Sequence, residues 1–161
     1  MIILIEGLIG IAIFALITIT LLLRNPLDSI GDYPPAIQER CIELGLIDKR
    51  ERRFSRSERI RKAAAMIVLA FVMALVVKYV NGAQTFWQGF TDTYLIWLII
   101  DWYDALIQDC VWFCHSKKVR IPGTEEMKEY QDYLFHIKQS CIGMILGIPV
   151  ALLVGLFTAI I

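Results

Sequence analysis

Two histidines and several carboxylates recur at helical spacing in the second half of the chain, and they are the groups best able to do chemistry. Tyr94, Trp97, Asp101, Asp104, Gln108, Trp112 and His115 follow one another at steps of three or four. At about 100° per residue they occupy an arc of roughly 80° on one helix. Asp109 stands at the edge of that arc. A second series, Glu129, Asp132, Tyr133, His136 and Ser140, keeps a similar spacing and continues as Gly143, Gly147, Ala151 and Gly155.

Three chemistries fit these residues. Asp132 and His136 are four apart, so one helix could give two ligands to a first-row divalent metal such as zinc, with His115 and Glu129 completing the set. No HExxH or comparable fingerprint selects this reading, and the cofactor stays open. Alternatively Asp101 and Asp104 could share a proton, because burial and a like-charged neighbour both disfavour a second charge; with His115 and His136 they would then act as acid and base. In the third reading the same groups bond to Tyr, Trp or Ser/Thr partners and only hold the helices together. Trp97, Gln108, Trp112 and Tyr133 share the stripe and are the residues expected to bind a substrate.

Four apolar stretches must position these groups. Residues 2–23 are broken only by Glu6, 63–80 only by Lys78, and 139–161 carry no charge. Each reaches, or nearly reaches, the span of a hydrocarbon core of about 30 Å at about 1.5 Å per residue. The stretch 86–114 contains Asp92, Asp101, Asp104 and Asp109, each of which costs about 2.5 to 3.5 kcal/mol at mid-membrane, so one side of it must face other helices or water. The expected fold is therefore all-α: a single integral membrane domain, residues 1–161, built as a four-helix bundle. Its spans are expected at about 2–23, 60–80, 86–114 and 137–161, with loops at 24–59 and 115–136.

Composition agrees with this class. The chain has 161 residues, of which 57% are hydrophobic, and its mean hydropathy of +0.59 is above that of ordinary soluble domains. Lys+Arg and Asp+Glu are both 16, so nothing points to a nucleic-acid partner. The basic residues are unevenly spread: ten Lys/Arg lie between Arg24 and Lys62 and four between His115 and His136, with none between Asn81 and Gln84. The positive-inside rule then makes the two long loops cytoplasmic and puts both termini outside. The first stretch lacks a basic start and is followed by Arg24, which suits an anchor rather than a cleaved signal. Cys41, Cys110, Cys114 and Cys141 fall on or near the reducing side, and no CxxC is present.

The loops carry their own punctuation. Pro34-Pro35 opens a short amphipathic helix over 36–44, with Ile37, Cys41 and Leu44 on one side and Gly45 as its stop, expected to lie at the membrane surface. Ser57 and Glu58 suit the start of the next helix, inside a basic cluster of Arg50, Arg52, Arg53, Arg56, Arg59, Arg61 and Lys62 that would attract anionic headgroups. Pro122-Gly123 marks a turn, Thr124 a cap, and from Glu125 the pattern is read as one uninterrupted helix into the last span, kinked at Pro149.

The two polar stripes are expected to face each other near the cytoplasmic surface. That arrangement favours a membrane enzyme or binding protein for a lipid or amphiphile, with membrane lipids as partners. A channel or proton-coupled carrier is the rival, although its polar groups would have to continue across the outer half. A scaffold or regulatory subunit is the third reading. The Gly143/Gly147/Ala151/Gly155 stripe also offers a contact for a second copy of the chain.

Overall fold

The computed structural model describes residues 1–48 and 56–161, and of residues 56–59, 61, 62 and 65 it describes the backbone only. Arg50, Arg52 and Arg53 thus lie outside the described residues, as do the side chains of Arg56, Ser57, Glu58, Arg59, Arg61 and Lys62. The described residues are helical and contain no strand. Five α-helices follow in order: α1 Ile2–Arg24, α2 Pro35–Glu43, α3 Arg56–Tyr79, α4 Phe86–Tyr103 and α5 Tyr133–Ile160. Short 3₁₀ turns join them, and α4 continues as a π-helical segment over Asp104–Trp112.

Two described helices, α1 and α5, are long and apolar enough to cross a membrane. The window of α1 has mean hydropathy 2.7 and is only 6% buried; that of α5 has 2.4 and is 33% buried. Met66–Tyr79 in α3 is a shorter apolar run, and α4, with its carboxylates, does not meet the same standard.

The chain divides into two compact units. The first comprises Met1–Ile11, Phe54–Asp101 and Cys141–Ile161. Its packing is set by small residues. A Cβ at Gly147 would stand 2.6 Å from the indole nitrogen of Trp97, and one at Gly155 would stand 2.7 Å from the Phe86 carbonyl oxygen. Asp101 lies over Gly143 in the same way, and Gly89 of α4 meets Thr158 and Gly155. Glycine at these points lets the backbones of α4 and α5 approach. The stripe read as a surface for a second copy is therefore covered by α4 of its own chain. Ala70 and Ala74 of α3 pack on Val154 of α5. Lys78 donates to the Thr158 carbonyl at 3.1 Å. That carbonyl is in the last turn of α5, where helix geometry leaves it without an intrahelical donor.

The second unit comprises Ala12–Arg53 and Trp102–Ser140. Its core joins Leu22, Tyr33, Ile37, Cys41, Phe113 and Tyr130 with their neighbours. Tyr33 is fully buried, meets Phe113 and Tyr130 edge-on at 4.9 and 5.9 Å, and donates to the Val119 carbonyl at 2.8 Å. Two sequence expectations change here. The apolar side of α2 turns into this core through Ile37 and Cys41 rather than onto a membrane surface. Its C-terminus closes as expected: Gly45 has φ +70°, with Leu46 N–H on the Cys41 carbonyl and Gly45 N–H on that of Ile42. The segment from Glu125 is not one helix. It is a turn and a 3₁₀ stretch over Lys128–Gln131, interrupted at Asp132 with ψ 76°, because Tyr130 must turn inward. There its hydroxyl accepts from Ile121 N–H at 2.9 Å and meets Thr124 Oγ1 at 2.7 Å. Thr124, expected to cap a helix, donates to the Ile121 carbonyl at 2.8 Å and closes the ring.

Candidate functional site

The π-helical winding of Asp104–Trp112 determines which side chains share a face. An α-helical wheel brings together residues three and four apart; the i→i+5 pattern of a π segment also brings together those five apart. Asp104, Gln108, Asp109 and Phe113 therefore gather on one side, and all four line a cavity of about 410 Å³ in the second unit. Phe14, Leu21 and Leu22 of α1 complete its apolar wall, and Thr18 and His136 add polar groups. Ser29, Gly31 and Asp32 border it from the 3₁₀ turn after α1, which Asn25 caps by accepting from Leu27 N–H at 3.3 Å. The volume falls in the range usual for small-molecule sites, and an apolar wall with a few convergent polar groups is their usual make-up.

Two hydrogen-bonded sets run through the wall. Thr18 Oγ1 is 3.1 Å from Gln108 Oε1, and Gln108 Nε2 donates to Asp104 Oδ1 at 2.8 Å. Gln108 is buried, so this set fixes the Asp104 carboxyl against the cavity. The second set is the pair His136 Nδ1 and Asp109 Oδ2, 3.0 Å apart. The His136 side chain is 2% exposed and that of Asp109 25%. The ring of Phe113 stands edge-on to the imidazole at 5.2 Å. His136 Nε2 is buried and has no hydrogen-bond partner.

No family model, curated protein or solved structure matches this chain. Its function has to be argued from the cavity itself.

Of the residues singled out in the sequence, the cavity brings together Asp104, Gln108 and His136. Asp101 and Trp97 belong to the first unit, against the glycines of α5, and the Trp97 indole donates to the Gly143 carbonyl at 3.0 Å. His115 is exposed and bonds Tyr133 at 3.0 Å; neither lines the cavity, nor does Trp112, which packs on the Tyr33 core. The proposed metal set does not assemble, since no group of three His, Cys, Asp or Glu among the described residues is placed to hold an ion. The reasons are local. The Asp132 carboxylate accepts from Phe135 N–H at 2.9 Å and so caps α5. Glu129 is exposed on the 3₁₀ stretch, and His136 is engaged by Asp109.

Asp109, Thr18 and Phe14 are among the cavity residues that the sequence did not assign to the site. Asp109 falls beside the stripe on an α-helical wheel and joins it only when the helix widens. Thr18 has a weak signal, as a hydroxyl inside the apolar first stretch.

A separate polar node lies in the first unit. Asn81 Nδ2 donates to Glu6 Oε2 at 3.0 Å and stands 3.3 Å from Asp92 Oδ2. It gives the single charge of the first apolar stretch a partner on another segment, as burial of such a group requires.

Proposed function

We propose that the chain is a four-span membrane protein that holds a lipid or other amphiphile in the cavity of its second unit. In this reading α1, α3, α4 and α5 cross the bilayer, and the segments after α1 and α4 lie on the cytoplasmic side with their basic residues. The cavity carries the proposal: its apolar wall accepts a chain, and Asp104, Gln108, Asp109 and His136 accept a head group. Phe14, Thr18, Leu21 and Leu22 line it from α1, whose apolar stretch is only 6% buried, so an amphiphile would reach it from within the membrane. The hydrogen-bonded pair of His136 and Asp109 gives the head-group end a proton acceptor, which leaves room for catalysis as well as binding.

Native mass spectrometry of the full chain released from mild detergent tests this. One amphiphile per chain is expected to be retained. Leu21→Trp, which fills the cavity from a partly exposed wall position, is expected to abolish retention. Equal retention by both proteins, or none by either, would overturn the reading.

A further inference from the structure

We infer that the cavity selects an amphiphile whose head is a phenol, and that His136, held through Nδ1 by Asp109, accepts a hydrogen bond from its hydroxyl at Nε2. This rests on the reading of the cavity as an amphiphile site and adds the chemistry of the head group.

The geometry starts at the imidazole. An ionised carboxylate only accepts, so the 3.0 Å contact with Asp109 Oδ2 places the hydrogen of a neutral imidazole on Nδ1. Nε2 is then a lone-pair acceptor. It is buried without a donor on a side chain only 2% exposed, and that side chain lines the cavity. Burying an acceptor unpaired is unfavourable, and a ligand O–H aimed at Nε2 removes the deficit. A phosphate or carboxylate head brings further acceptors to a place already holding the Asp109 carboxylate. An ether or ester brings no hydrogen at all.

Two features favour a phenol over an aliphatic alcohol. The rings of Phe14 and Phe113 are in the wall, and Phe113 stands edge-on to His136 at 5.2 Å, so an aromatic head meets aromatic neighbours. A phenolic hydroxyl is also the more acidic of the two, and therefore the stronger hydrogen-bond donor to a neutral imidazole nitrogen. The hydroxyl keeps its proton and shares it with Nε2 in a hydrogen bond, so no covalent bond changes.

The test uses the full chain in phosphatidylcholine bilayers with ring-¹⁵N histidine. His115→Asn leaves the signals of His136 alone. The probes are 4-nonylphenol and its methyl ether, each also made with a photoreactive diazirine on the alkyl chain. Saturable labelling of Phe14 or Leu21 by the diazirine reports occupancy of the cavity. The phenol is expected to move the Nε2 resonance upfield, as a hydrogen bond to that nitrogen does, and to bind about tenfold tighter than the ether. Asp109→Asn is expected to shrink that preference. Labelling of the wall with an unmoved Nε2 resonance, or equal affinity for phenol and ether, would overturn the head-group assignment and leave the amphiphile reading standing. Absence of saturable labelling by either probe would overturn both.

Discussion

Asp109 Oδ2 lies 3.0 Å from His136 Nδ1, joining the π-helical continuation of α4 to the first turn of α5 across 27 residues of chain. The contact holds in one orientation a buried imidazole whose residue lines the cavity, and leaves its other nitrogen without a partner. Neither residue reaches the other by sequence proximity, so the pair reports the correct assembly of both segments.

Breaking the pair is expected to destabilise the fold. Asp109→Ala and His136→Ala should each lower unfolding stability by about 1 to 3 kcal/mol, since the first strands a buried imidazole and the second a partly buried carboxylate. The double variant should lose less than the sum of the two. Thermal unfolding of the four proteins in one detergent measures this cycle, and strictly additive losses would show that the two side chains are not coupled.

The close approach of α4 and α5 predicts a second pattern. Gly147→Val places a Cβ 2.6 Å from Trp97, whose indole is tied to the Gly143 carbonyl and cannot swing aside without losing that bond. A cost of about 1 to 3 kcal/mol is expected from overpacking. Gly31→Ala, with nothing within 4 Å of its Cβ, should stay within about 0.5 kcal/mol of the parent chain. Similar stability of the two variants would remove the helix approach as an explanation for the glycines.

The tyrosines of the second unit should make it sensitive to alkali. Burial, with the neighbouring Tyr130 adding to it, raises the Tyr33 phenol well above its ordinary value of 10.0, and burial also raises Tyr130. The folded state thus prefers both phenols neutral, while the unfolded chain ionises from about pH 10. Stability is expected to be unaffected by these groups below that pH and to fall as pH rises above it. Ultraviolet titration against unfolding should show ionisation of both rings coinciding with loss of structure. Tyr130→Phe removes the acceptor for the buried Ile121 N–H and should cost about 1 to 3 kcal/mol at neutral pH.

Topology can be read with an impermeant maleimide. In a chain whose four native cysteines are replaced by Ala or Ser, Gln84→Cys should label from outside intact cells and Lys118→Cys only after lysis, both positions being exposed. The reverse pattern, or labelling of both from one side, would sink the four-span orientation.

Much of the architecture could be read from residue order, because hydropathy and punctuation act locally. The long apolar runs became α1 and α5, and Pro35 with Gly45 delimited α2 within a residue. The site was only half legible. A wheel drawn at α-helical pitch places Asp104, Gln108 and His136 on polar stripes, but it leaves Asp109 at the edge of one because nothing in the sequence announces that the winding widens there. It also favours continuing α5 back to Glu125, since the helical pattern there is good. The backbone breaks instead because Tyr130, Thr124 and Ile121 satisfy one another in a buried ring, a contact that local propensity does not contain. The metal set failed for the same kind of reason: Asp132 is taken up by the helix start it creates.

A loosened coil such as Asp104–Trp112 makes reading frame, rather than residue identity, the vulnerable variable of this chain. Removing one residue there would let the segment relax to ordinary pitch and rotate everything beyond it. The imidazole would lose its carboxylate although every side chain involved was still encoded. Point substitutions within 104–112 and a single deletion in the same stretch should therefore differ in kind, the former trimming the cavity and the latter dismantling it.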